Sequence, residues 1–311
     1  MGMDQVKAYR WMALSRELDR ALCAANPRWF PAEGEEAVVV GAFCDLRPTD
    51  AAAVHYRDPF AAYAMCGAEL WRLAAQVFGK AAGYSKGRAV PFTGPVEIGI
   101  VPWVAGDLGT SLGTATGAAL AFRQEGSDRV CVCTFGDGTA NRGDFHENVN
   151  LAAVWRLPIV YVCQHNGWAI SQHASGYLPA PVADRAAGYG IPGVAVDGNA
   201  VEAVRAAVGE AVARARRGEG PTLIEARTWR AKGHWAGDQA SYRTVVEEGA
   251  RPADPLDLYA SRLLARGDAS PADLERIRAD VVAEVSAALE RAAAAADVGP
   301  DELGLEEVYA P

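Results

Sequence analysis

Asp137 and Asn166 are the first residues in this chain whose types and setting suggest chemistry. Asp137 stands in Gly136-Asp137-Gly138, directly after an apolar, β-branched run over residues 130–135. Asn166, followed by Gly167, lies just past a second such run over residues 159–163. One carboxylate, one neutral amide oxygen and nearby backbone carbonyls make an all-oxygen donor set of low charge. That set suits Mg²⁺, which keeps some of its water and shares its shell with a phosphate. Gly138 and Thr139 are expected to begin a helix whose free N–H groups favour an anion. A Gly-Asp-Gly alone also fits a plain β-turn with an Asp cap. The Asn-Gly after the next run tells against that, because it brings a second polar group to the same crevice.

These residues need elements to hold them. Both apolar runs read as buried strands. Between them Asn148, Leu151, Ala152, Val154 and Trp155 recur at helical spacing, and Pro158 ends the segment. The unit is βαβ with parallel strands, and ligands bind outside the carboxyl ends of such strands. Upstream, residues 3–25 pattern as an amphipathic helix and Gly34-Glu35-Glu36 opens a buried one. Residues 53–58 read as a short strand and residues 60–78 as a helix. Residues 79–109 are rich in glycine and proline without a period, as expected of a functional loop over a ligand site. A helix then runs from Gly109 to about Gln124. Downstream, strands over 194–197 and 221–228 flank a helix over 200–217. Residues 229–243 form a polar loop, and 254–296 form two helices, the second capped by Ser270-Pro271.

Composition narrows the class. The chain has 311 residues and a net charge of −9. A negative field disfavours nucleic acid as a partner. No long uncharged apolar stretch or signal-peptide layout is present, so a cytoplasmic protein without a membrane anchor is expected. The six cysteines lack a C-x-x-C pairing and read as small buried apolar residues.

With these residues in view, the chain resembles the α subunit of the thiamine diphosphate-dependent E1 component of 2-oxoacid dehydrogenases. Gly136-Asp137-Gly138 with Asn166 matches the thiamine diphosphate signature. Phe145-His146-Glu147, Asn150-Leu151-Ala152-Ala153 and Leu157-Pro158 match the crossover helix, with the Phe shifted. Gly34-Glu35-Glu36-Ala37, Tyr56-Arg57, Lys86-Gly87-Arg88, Gly106-Asp107-Leu108-Gly109, Gly233-His234 and Ser241-Tyr242-Arg243 match further elements.

The resemblance implies an α/β fold: a mostly parallel sheet with helices on both faces and a helical C-terminal extension. Residues 1–250 would be the cofactor-binding domain with its N-terminal helix, and 251–311 a helical segment of the same unit. Thiamine diphosphate and Mg²⁺ are the implied cofactors. Asp137, Asn166 and the Trp168 carbonyl would hold Mg²⁺. Gly138 and Thr139 backbone groups, with Tyr56, Arg57 and Gln164, would hold the diphosphate. Gly106 and Leu108 would contact the pyrimidine. His234 would act near the thiazolium end, as proton donor or phosphate ligand.

No pyrimidine-binding domain is apparent, so the resemblance implies a separate β subunit and an α2β2 assembly. The implied reaction decarboxylates a 2-oxo acid and passes the acyl unit to a lipoyl carrier. Acetoin cleavage, transketolase-like transfer of a two-carbon ketol unit to a carrier protein, and an assembly subunit without activity are the alternatives. Thr93 stands where the family often has His, Phe30 roughly where some members have another, and His165 replaces the first Asn of an Asn-Asn pair. These departures fall at the substrate end. Of the other histidines, His146 reads as structural, while His55, His165 and His173 could face the site.

Overall fold

The structure, a computed structural model, describes residues 5–57, 59–88, 93–101, 108–244, 249 and 251–303. Five strands form one parallel sheet: β1 (Ala51–Ala53), β2 (Cys131–Gly136), β3 (Ile159–His165), β6 (Gly193–Asp197) and β7 (Thr222–Arg227). Their spatial order is β1-β2-β3-β7-β6, and every neighbouring pair is parallel. A short antiparallel pair, β4 (Trp168–Ala169) and β5 (Gln172–His173), stands apart from it.

The apolar runs in β2 and β3 fill both faces of the sheet, as a doubly covered parallel strand requires. Val132, Val160, Val162 and Ile224 point into one core, built with α1 (Gln5–Ala25), α2 (Glu36–Phe43), α3 (Pro59–Met65) and α7 (Val201–Arg216). Cys131, Cys133, Phe135, Tyr161 and Cys163 point into the other, against α5 (Thr110–Gln124) and α6 (Gly143–Val154). All six cysteines are free; Cys131, Cys133 and Cys163 are buried packing groups, with burial pushing the Cys133 thiol up to about 12, whereas Cys23, Cys44 and Cys66 are only half-buried, short of the full burial expected. Among the described residues no helix is long and apolar enough to cross a membrane.

Every residue of α2 is buried. Its valines and Phe43 contribute about 1.5–3 kcal/mol each relative to exposure. Its one charged residue, Glu36, is buried and paired with Arg16 of α1. The last two helices, α8 (Pro255–Arg266) and α9 (Pro271–Ala293), pack back on the N-terminal half; α9 lies against α1 and α4 (Leu70–Val77). Ser270 and Asp273 form a reciprocal capping box at the start of α9, with Pro271 in its first turn.

Three local expectations are corrected. The first strand is Ala51–Ala53, not residues 53–58, because the ladder pairs these alanines with Cys131–Cys133 and the polar residues that follow leave the sheet. Three alanines carry little strand propensity, which hid them. The helix over 60–78 is two, broken where Gly67 adopts a φ of 106°. Gly138 and Thr139 do not begin the crossover helix: a 3₁₀ turn covers Thr139–Asn141 and α6 starts at Gly143. Residues 89–92 and 102–107 of the glycine-rich segment, including Gly106, lie outside the described residues.

The α2–α7 contact leaves no room at Gly41, where an added Cβ would sit 2.7 Å from the Cβ of Val204. Gly41→Ala is expected to destabilise the chain by about 1–3 kcal/mol. Gly209, on the exposed side of α7, has nothing within 4 Å, so Gly209→Ala is expected to stabilise by roughly 0.5–1 kcal/mol. Urea unfolding of the two variants checks both signs.

Candidate active site

The β2–β3 register sets the site. Gly136 lies opposite Gln164, so Asp137 and Asn166 emerge side by side past the carboxyl ends of the two strands. With His55, Tyr56, Arg57, Leu108, Thr139 and His234 they line one pocket of about 380 Å³. Gly138 is closed in by the β4–β5 hairpin; a Cβ there would meet that of Ala169 at 2.9 Å.

Asp137 is almost fully buried. Burial pushes its carboxyl up, and the Tyr177 hydroxyl, which donates to Oδ2 at 2.7 Å, works against that. His165 lies 3.8 Å from the same oxygen through Nε2, while its Nδ1 is 2.7 Å from Glu225. Burial would raise the Glu225 carboxyl, but hydrogen bonds from His165, the Ala183 N–H and Arg227 hold it down at about 2. Neither Tyr177 nor Glu225 was identifiable beforehand: each reaches the site from a segment without a motif.

Glu35 is a third member that no motif had assigned to the site. It is fully buried just ahead of α2, with Arg57 Nε at 3.4 Å and the Asn166 amide donating to it at 3.0 Å. Burial pushes its carboxyl up to about 7, against the charge of Arg57 and the Asn166 hydrogen bond. Arg57 is 1% exposed. Its Nη1 donates to the Pro31 carbonyl at 2.5 Å.

The polar loop after β7 closes the pocket. It reaches the front of α2 because Gly34 has no side chain: a Cβ there would lie 2.2 Å from the Trp229 carbonyl oxygen. Gly34 also needs its φ of 100°, which favours glycine. The Ala231 N–H donates to the Glu33 carbonyl at 2.8 Å, fixing the loop's start. Arg230, 1% exposed, donates to the Ile170 carbonyl at 2.9 Å and the Tyr242 hydroxyl at 2.7 Å. Burial and the charge of Arg57 bring Arg230 down to about 10.

The Nδ1 of His234 lies 3.4 Å from both Arg57 and Arg230. A guanidinium can only donate, so Nδ1 accepts and the neutral ring carries its proton on Nε2. Burial and the two cations bring this imidazole down to about 3. It is therefore a neutral hydrogen-bond donor, not an imidazolium.

Leu108 and Phe30 both line the pocket, and Phe30 packs edge-on against Tyr56 and His234. Gln164 sits behind the wall, donating to Glu35 at 3.4 Å. Thr93 is tied to α4 through Gln76 and is not among the residues lining the pocket. His146 bonds Tyr189 on the outer face of α6, and exposed His173 bonds Ser175.

The family model for the dehydrogenase E1 component matches residues 15–301. The α subunit of an acetoin:2,6-dichlorophenolindophenol oxidoreductase from Bacillus subtilis is 37% identical over 89% of this chain and 83% of its own length. The α subunit of 2-oxoisovalerate dehydrogenase from the same organism is 37% identical over 99% of this chain and 96% of its own. The pyruvate dehydrogenase E1 α subunit of Rhizobium meliloti is 34% identical over 89% and 82%. The chain belongs to the dehydrogenase E1 component family. It is an E1 α-type subunit of the thiamine diphosphate-dependent kind, which cleaves a C–C bond beside a ketone, and an α subunit implies a β partner.

For the cofactor-free E1 α-type chain, ¹⁵N NMR of the histidine rings is expected to find His234 neutral with its proton on Nε2. Protonation should begin only within about a unit of pH 3. Between 6.5 and that value the unfolded chain takes up a proton that the folded one refuses, so this group's contribution to stability falls as the pH drops. A ring protonated at neutral pH would contradict the geometry.

Proposed function

We propose that this E1 α-type subunit holds the diphosphate and Mg²⁺ end of thiamine diphosphate. With its β chain it would decarboxylate a small 2-oxo acid and pass the acyl unit to a lipoyl carrier. The observation that carries this is the convergence of Asp137, Asn166 and the buried Arg57 on one pocket at the strand ends.

The residues fit the cofactor. Asp137, Asn166 and the Trp168 carbonyl supply one negative charge and two neutral oxygens to Mg²⁺, leaving its other positions to phosphate and water. The backbone of Gly138 and Thr139, with Tyr56, Arg57 and Gln164, receives the diphosphate. Two buried guanidiniums, Arg57 and Arg230, lie near the buried carboxylate of Glu35, so with Asp137 given to Mg²⁺ the surplus positive charge here suits an anion. Leu108, which lines the pocket, would contact the pyrimidine, as the family resemblance also implies for Gly106. When bound, the cofactor supplies the carbanion that adds to the ketone and takes up the electrons of the broken bond. His234 offers its Nε2–H to a phosphate or substrate oxygen. Phe30, Leu108 and Ile170 give the pocket an apolar wall that keeps water from the reacting centre.

A Glu of the β chain activates the pyrimidine in an α2β2 enzyme of the cytoplasm. Residues 1–250 would carry the half-site and 251–311 would belong to the same unit as a helical segment; within the described residues, the packing of α9 on α1 and α4 supports this. Acetoin cleavage is the second reading; the acetoin oxidoreductase subunit and the 2-oxoisovalerate dehydrogenase subunit are each 37% identical, so the acetoin relative does not place it ahead of 2-oxo acid decarboxylation.

Pyruvate, branched-chain 2-oxo acids, acetoin and a ketose phosphate, assayed with an artificial electron acceptor, test the proposal. Turnover of a 2-oxo acid is expected only with both subunits present. Turnover by the isolated chain would end the shared-site proposal. Activity on acetoin alone would select the second reading, and on the ketose phosphate alone a ketol transfer. In calorimetry of the assembled enzyme with Mg²⁺, Asp137→Ala is expected to abolish thiamine diphosphate binding. Arg57→Lys, which loses the forked geometry, is expected to weaken it roughly tenfold.

A further inference from the structure

Asn166 can serve a cation only through its oxygen. An amide side chain has two faces of nearly equal shape, and rotating it by half a turn exchanges the oxygen for an NH₂ group. Some neighbour must therefore decide which face meets the ion. The Asn166 Nδ2 donates to Glu35 Oε1 at 3.0 Å, and its Oδ1 accepts the Trp168 N–H at 3.0 Å. That leaves the oxygen on the side of the 166–168 bend, where Asn166 and Trp168 line the pocket.

The other neighbours of Glu35 are donors too. Gln164 Nε2 reaches Oε2 at 3.4 Å and Arg57 Nε lies 3.4 Å from Oε1. Two donated hydrogen bonds and the charge of Arg57 thus converge on two carboxylate oxygens buried away from water. A flipped Asn166 would set its Oδ1 against Glu35 Oε1, acceptor against acceptor, and its NH₂ against the Trp168 N–H, donor against donor. The same logic fixes Gln164. With its NH₂ on Glu35, its Oε1 is turned away and is buried without a hydrogen bond among the described residues.

We propose that Glu35 is a positioning residue that locks the amide of Asn166 with its oxygen toward the cation site, acting without touching the ion. The inference rests on the Mg²⁺–diphosphate reading given above. It accounts for a fully buried carboxylate beside the metal-ligand loop that the reaction itself does not call on. Gln at this position would keep an acceptor for Asn166 while removing the charge, whereas Met would remove both at similar size.

Mn²⁺ in place of Mg²⁺ gives a readout independent of turnover. Its affinity for the assembled enzyme at saturating thiamine diphosphate is measured by electron paramagnetic resonance, with circular dichroism as the folding control. Glu35→Met is expected to weaken Mn²⁺ binding by about 10- to 100-fold, the range seen when a ligand's outer partner is removed. Glu35→Gln is expected to stay within about threefold of the parent enzyme, because its carbonyl can still accept the Asn166 amide. In an Asn166→Ala background, Glu35→Met is expected to add nothing, since the residue it acts through is gone.

A full-sized Glu35→Met loss in the Asn166→Ala background would assign the effect to Arg57 and overturn the proposal. So would parent-like affinity in folded Glu35→Met, or an equal loss in folded Glu35→Gln. Absence of Mn²⁺ binding by the parent enzyme would instead overturn the underlying Mg²⁺–diphosphate reading, and this inference with it.

Discussion

A positive charge held out of water is the constraint on which this site depends. Arg57 is 1% exposed, and a lone guanidinium at that depth is costly. Glu35 offsets it, and Glu35 can do so only because α2 is buried along its whole length. Removing one partner of such a pair costs more than the pair itself contributes, so the two are bound to be kept or lost together. The remaining members then fall in around them. Asn166 and Gln164 donate to the carboxylate, His234 accepts from the guanidinium, and Arg230 adds a second cation behind the ring. The pocket wall is thus polarised before any ligand arrives, with donors and positive charge facing inward. Preorganisation of this kind lets a charged ligand bind without reorienting its surroundings.

Much of the architecture was legible in the sequence. The apolar runs of β2 and β3 are too continuous for a half-exposed strand, and their flanking Gly-Asp-Gly and Asn-Gly mark the ends where ligands sit. The register then made Asp137 and Asn166 neighbours, as the βαβ pattern implies. Less legible were the elements whose stability comes from packing rather than propensity. The alanines of β1 have no strand signature, yet they pair with β2 because the Asp50 carboxylate accepts the Val130 N–H at 3.0 Å and seats them.

The site was legible where residues carry a motif and hidden where they act through contact alone. Asp137, Tyr56, Arg57 and His234 come together as the sequence suggested. Tyr177 and Glu225 were invisible because they hold other residues rather than a ligand, and such roles leave no spacing rule. Glu35 did sit inside a recognised element, but its neighbour Glu36 looked the same in sequence. One faces Arg16 and the outer helices, the other Arg57 and the pocket, and only the turn at Gly34 distinguishes them. Phe30 was read as a lost histidine; in the structure it is an aromatic wall for the histidine that remains.

The close approach at Gly34 also bears on how the chain matures. Its partner, the Trp229 carbonyl, is synthesised nearly two hundred residues later, and Arg230 and His234 follow directly behind it. A nascent chain emerging from the ribosome can therefore assemble β2, β3 and the acidic side of the pocket while Arg57 still lacks its lid. Such late, long-range closures are slow, and the surfaces that await them stay open to misassembly. The α chain's share of the cofactor site is thus complete only once about three quarters of the chain has been made.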